Sequence, residues 1–218
     1  MEKKKPKIPN TWFIADLHFR HKNVLKHCPK RAELGGFQID DVEAHDKWLM
    51  EKWNSTVAKK DTVYIVGDFS FAPSEHVKKL LSKLNGNKFL ILGNHDQSSS
   101  KLTNYFVQIT QQKMVVFKKS NYDWLDEDFQ VFLCHYPMVT WPSKHYGSVN
   151  VHGHCHGRLN RYNEESTDLR VDVGIDSETF GNDFVEVRTL YEYFKNKSSG
   201  EKFIHYANRM KEQMEMPI

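Results

Sequence analysis

Thr62-Val63-Tyr64-Ile65-Val66-Gly67-Asp68, answered further on by Lys88-Phe89-Leu90-Ile91-Leu92-Gly93-Asn94-His95-Asp96, is the stretch whose reading decides the fold. Each half is a short apolar run that ends in glycine and a polar side chain, the pattern of a strand buried on both faces. Between the halves, Pro73 and Ser74 open a helix through Leu84, with Ser74 placed to cap it, and Asn85-Gly86-Asn87 supplies the turn back. Towards the N-terminus, a helix over about residues 41–57 carries Val42, Trp48, Leu49 and Trp53 roughly on one face. Before it, residues 30–39 read as a glycine-containing loop, residues 21–28 as a short helix stopped by Pro29, and residues 11–15, with Trp12-Phe13-Ile14, as a first buried strand. This alternation of strand and helix predicts a parallel sheet with helical crossovers.

Beyond residue 100 the pattern changes. Residues 105–117, 129–134, 149–152 and 169–175 are strand-like and joined mainly by loops, which predicts a second sheet with more antiparallel pairing. Two sheets packed face to face with helices outside are expected. Residues 185–195 and 201–216 look helical, separated by Ser198-Ser199-Gly200.

The chain of 218 residues is long enough for one well-packed α/β domain, with a basic tail over residues 1–10 and a C-terminal helix over about 201–218. Hydrophobic residues make up 39% and charged residues 27%, which fits a soluble globular protein. No apolar run approaches the roughly 20 residues that span a bilayer, and no signal-type segment follows the N-terminal lysines, so a cytoplasmic location is expected. The net charge of +3 does not by itself mark a nucleic-acid binder. Three cysteines, Cys28, Cys134 and Cys155, are too few and too odd in number for a disulfide framework. Strand alternation should turn Cys134 and Cys155 into the core.

Of the twelve histidines, His27, His45, His76 and His205 fall in helix-like patterns and are read as doing no chemistry. The informative ones end apolar runs. In order, the segments are Asp16-Leu17-His18, Gly67-Asp68, Gly93-Asn94-His95-Asp96, Cys134-His135 and Gly153-His154-Cys155-His156. In α/β sheets ligands bind beyond the carboxyl ends of strands, where these residues fall. Carboxylate, imidazole and amide donors together suit a pair of transition-metal ions better than calcium or magnesium. A lone Gly-Asp would be an ordinary strand-to-loop turn. Five such segments in this order are not explained that way.

With these motifs, residues 16–156 resemble the calcineurin-like metallophosphoesterases, and Asp16-Leu17-His18-Phe19-Arg20-His21-Lys22-Asn23 looks like a small bacterial and phage subgroup of them. The resemblance implies a four-layer α/β/β/α sandwich with two mixed β-sheets and a dinuclear centre. Asp16, His18, Asp68 and His156 would hold the first ion, and Asp68 would bridge to a second held also by Asn94, His135 and His154. Manganese is the expected metal, with iron, zinc or nickel as alternatives. A carboxylate bridge sets two cations about 3.5–4 Å apart, and a hydroxide between them would attack phosphorus in line. His95 would serve the leaving group. Asp96 would either orient His95 or cap a helix. Many relatives carry Asp, Asn or His three positions after the bridging aspartate; here that position is Phe71, which puts the usual substrate contacts of that loop in doubt.

Arg20, His21 and Lys22 either meet a phosphate or form a solvated helix start. The segment from Tyr136 to Pro142 either walls the pocket and stacks a base, or simply packs. Asp172 and Asp176 could lie near the site from a late strand, without being ligands. The leading reading is a phosphohydrolase acting on a soluble phosphoester or nucleotide, leaning to a phosphodiester. The alternatives are a nuclease or nucleic-acid end-processing enzyme and a non-catalytic interaction scaffold. A protein phosphatase and a lipid or membrane substrate are disfavoured, and no oligomeric state is implied.

Overall fold

The computed structural model describes residues 8–97 and 99–197. The basic tail up to residue 7, His205 and the helix expected over 201–218 lie outside the described residues.

The first sheet is built from β1 (Thr11–Ile14), β2 (Thr62–Val66), β3 (Asn87–Ile91), β4 (Gln108–Thr110) and, at its other edge, β9 (Val185–Glu186). Its order is β4-β3-β2-β1-β9, parallel except for β9. Alternation divides the strands between two cores. Phe13, Tyr64 and Val66 face the second sheet, whereas Ile14, Val63 and Ile65 face a helical layer. Because both faces are covered, the strands are apolar throughout, as the decisive stretch required.

The outer helical layer comprises α3 (Val42–Thr56) and α4 (Ser74–Leu81). Asp41 caps α3 by accepting from the Ala44 N–H at 2.8 Å, and Leu49 and Trp53 bury its apolar face. Trp48 is only half-buried. Pro73, not Ser74, occupies the cap position of α4. It fixes φ at −57° just before the first helical residue.

The second sheet runs β5 (Gln112–Phe117), β6 (Phe129–Cys134), β7 (Val149–His152), β8 (Arg170–Asp172). Only β5–β6 is antiparallel; β6–β7 and β7–β8 are parallel, so this sheet has one antiparallel pair, as the first does, and the expectation of more antiparallel pairing here is corrected. Between β7 and β8 lies a helix, α5 (Asn160–Glu165), where a loop was expected. It covers the outer face through polar contacts, not apolar ones: Asn163 meets His152 and Arg170 at 3.1 and 2.9 Å. A polar helix of six residues has no apolar stripe to announce it. The chain ends its described part in α6 (Val187–Lys197), which begins after the two residues of β9 and packs Leu190 and Phe194 into the inter-sheet core.

Two further expectations change. Residues 105–117 are not one strand: β4 belongs to the first sheet and β5 to the second, with Gln111 alone between them. Residues 30–39 are not all loop, because α2 (Lys30–Gly35) follows α1 (Val24–His27), with Pro29 at its cap and Gly36 closing it at φ 67°. The fold is α/β, with two mixed sheets face to face and helices outside. The sheets also meet at their carboxyl ends, where the Ala15 N–H donates to Val173 O and the Ile175 N–H to Ala15 O, both at 3.1 Å.

Candidate metal centre

All the segments singled out in the sequence arrive at this junction. Asp16 and His18 follow β1, Asp68 follows β2, Asn94 follows β3, His135 follows β6, and His154 and His156 follow β7. Asp16, His18, Asp68, His154 and His156 adopt left-handed backbone, with φ between 49° and 69°. Non-glycine residues avoid this region at a cost of about 1–3 kcal/mol each, and such strain persists where the surroundings over-determine it.

Asp68 Oδ2 lies 3.6 Å from His18 Nε2 and 3.5 Å from His135 Nε2. On one side, Asp16, His18 and His156 bring donor atoms within 4.8 Å of one another; on the other, Asp16, Asp68 and His135 do the same. The Asn94 Oδ1 atom joins the second group, 3.2 Å from His135 Nε2. His154 stands at the exposed rim, outside both compact groups, with its ring 5.1 Å from that of His135. Its backbone N–H donates to both carboxylate oxygens of Asp16, at 3.1 and 2.9 Å. Two glycines make the packing feasible. A Cβ at Gly67 would sit 2.0 Å from the His135 ring, and one at Gly93 would sit 2.2 Å from Asp68 Oδ1.

The imidazoles are oriented from behind. His135 Nδ1 donates to Val66 O at 2.9 Å, and His156 Nδ1 donates to Asp176 Oδ2 at 2.6 Å, which turns both Nε2 atoms into the site. Asp176 is in turn gripped by Arg31 through Nε and a terminal nitrogen at 2.8 and 2.6 Å. The buried Arg31 also donates to Asp16 O, Leu17 O and His45 Nε2. Asp176 thus acts behind a predicted ligand. His45 is not idle either, since it helps to hold Arg31. Cys28 Sγ approaches His156 Nδ1 at 3.4 Å. Cys134 is buried in the core as expected, but Cys155 is only half-buried.

Burial and mutual charge shift the titration of these side chains. Burial, reinforced by Asp172, raises the Asp16 carboxyl to about 7. Burial would raise Asp68 too, but the hydrogen bond and charge of His135 outweigh it and hold this carboxyl at about 2. Burial works against protonated His135 and His156 as well; their partners Asp68 and Asp176 prevail and lift them to about 9 and about 10. His18, buried and facing Arg31, is driven down to about 2. Its Nδ1 is buried without a hydrogen-bond partner among the described residues, and its Nε2 faces His156 Nε2 at 3.3 Å. Facing ring nitrogens beside two buried carboxylates fit divalent ions of the kind imidazole and carboxylate prefer.

Over residues 9–175 the sequence matches the calcineurin-like phosphoesterases. The chain belongs to this family. It is 31% identical to the Gene 66 protein of Mycobacterium phage L5 over 70% of its length and 80% of that protein. It is 28% identical to the Gene 66 protein of phage D29, over 78% of the chain and 89% of that protein. An uncharacterized protein of Methanocaldococcus jannaschii is 36% identical over 41% of the chain and 48% of its own length. In fold, the chain resembles a protein of unknown function from Aquifex aeolicus with a TM-score of 0.63 and 20% identity, over 85% of this chain and all of that one.

In this calcineurin-like phosphoesterase the remaining predicted residues divide. His95 lies at the open edge, its Nε2 4.0 Å from Asp68 Oδ2, and its backbone N–H donates to Asp68 Oδ1 at 2.9 Å. Asp96 neither orients that ring nor caps a helix. Its carboxylate accepts from the backbone N–H groups of Asp68, Phe69 and Gly93, tying the loops after β2 and β3 together. Arg20 turns away to Glu43 at 2.7 Å on α3, so it does not reach the centre as the phosphate reading required. His21 does face the centre, across a cleft of about 340 Å³ that it lines with His18, His95, His156, His27 and Arg158. Arg158 and His27 were missed. Arg158 stands two residues after His156, and that spacing was its only sequence signal. Trp141 is buried and donates to Ser148, so it packs; Tyr136 is exposed beside His154, the rings 4.7 Å apart. Among the described residues no helix is long and apolar enough to cross a membrane.

Proposed function

We propose that this phosphoesterase hydrolyses a soluble phosphodiester with two divalent transition-metal ions, manganese foremost. The observation that carries the reading is the position of two carboxylates: Asp68, with one oxygen between His18 and His135, and Asp16, common to the two compact donor groups. Asp16, His18, Asp68 and His156 would hold one ion, and Asp68, Asn94, His135 and His154 the other. Bound there, the ions supply Lewis acidity and a nucleophile drawn from water.

The chain's own side chains supply the rest. Arg158 lines the cleft, and its guanidinium would pair with a non-bridging phosphate oxygen. His95, exposed and with its Nε2 4.0 Å from Asp68 Oδ2, would protonate the departing oxygen. Asp96 keeps that loop in register with the bridging carboxylate. Nucleic-acid processing is the second reading, favoured by the open, aromatic-flanked cleft. A cytoplasmic location is part of the proposal, since the three thiols are free, as in a reducing compartment.

The test compares a chromogenic phosphodiester with a monoester under added manganese. The diester should turn over faster, and Asp68→Ala should lose both metal and activity. Unchanged metal content in Asp68→Ala would remove the bridge, and faster monoester turnover would remove the diester preference.

A further inference from the structure

Phe71 occupies the position where a polar substrate contact was expected, and it does not retreat into the core. It is 43% exposed, whereas its neighbours Phe69 and Ala72 are buried. Its ring packs 4.0 Å from that of His21, edge-on, and 4.4 Å from that of His95 at a tilt of 36°. The backbone beneath it is fixed. The Phe71 N–H donates to Phe19 O at 2.9 Å, and Ser70 Oγ bridges Phe19 O and the Ala72 N–H at 3.1 and 3.0 Å. An aromatic ring held rigidly beside the residue placed at the departing oxygen, with much of its surface open to water, is a platform awaiting a planar partner.

We infer that Phe71 stacks the base of a nucleoside on the leaving-group side, so that the phosphodiester cleaved is a nucleotide one. The position decides which side is read. Phe71 touches His95, while Tyr136, the other exposed aromatic at the centre, lies across it beside His154. Stacking is tolerant of base identity, because every base has a π-face. Discrimination therefore falls between nucleosides and groups that lack a base. This rests on the phosphodiester reading above.

The experiment uses the full, manganese-loaded protein. Dinucleotides are compared with analogues carrying an abasic residue on the departing side, identified from the products. The ratio of their kcat/KM values should favour the base by on the order of 10- to 100-fold. In Phe71→Ala this ratio should fall towards one, and in Phe71→Trp it should persist. A ratio unchanged in Phe71→Ala, or a parent protein indifferent to the base, overturns the inference. A second measurement does not need turnover. Quenching of a 2-aminopurine nucleotide should accompany binding to the parent protein and weaken in Phe71→Ala. If the dinucleotides are not cleaved but this quenching depends on Phe71, the stacking site stands and the diester reading fails. Equal quenching in both proteins removes the stacking site.

Discussion

The two sides of Asp68, one towards His18 and the other towards His135, are built to different standards of rigidity. Around Asp16, His18 and His156 the carboxylate is wholly buried, His18 is nearly so, and Arg31 and Asp176 lock the geometry from behind. Around His135 the imidazole and Asp68 are buried, but Asn94, His95 and His154 stand at the exposed rim. The contrast assigns different work to the halves. The inner half is preorganised by the fold, and its parts should contribute to stability as well as to metal affinity. The outer half is open to solvent and substrate, and its parts should matter for chemistry more than for folding.

Three changes test that division. The largest effect is expected at the outer half: His95→Ala should lower kcat by on the order of 10²–10⁴ while metal content and melting temperature stay at the parent values. A lower melting temperature would place His95 in the framework instead. Next, Arg31→Ala leaves the buried Asp176 without its cation, and should destabilise the protein by about 3–5 kcal/mol in denaturant unfolding. It should also weaken one metal-binding step by about 10- to 100-fold in a titration and spare the other. Equal weakening of both steps would erase the distinction. The smallest effect is expected at His154, where φ is 69°. His154→Gly should relieve backbone strain and raise stability by about 1 kcal/mol, while weakening the step that Arg31→Ala leaves intact.

The elements that build the inner core were legible because their physics is local. β2 and β3 could be read from buried apolar runs, and α3 from the spacing of its apolar residues. The convergence of Asp16, Asp68 and His135 was legible because each ends such a run. What escaped depends on partners far along the chain. Arg31 lies in a segment that looks like a loop, and its role exists only because Asp176, 145 residues away, comes to face it. Arg20 had the right chemistry beside the right motif, but Glu43 and Asp46 on α3 capture it. The polar layer of α5 escaped because periodicity detects apolar faces only. β4 and β5 merged because a change of sheet within one residue leaves no mark on composition.

That one-residue corner at Gln111 has a consequence for how the chain can vary. Thr110 pairs with Ile91, just ahead of the Asn94 loop, and Gln112 pairs with Cys134, just ahead of His135. The corner therefore works as a spacer of fixed length between two strands that deliver neighbouring donors. Insertions elsewhere on the surface could be absorbed as longer loops, but one added residue here would slide one strand past the other and pull Asn94 and His135 apart.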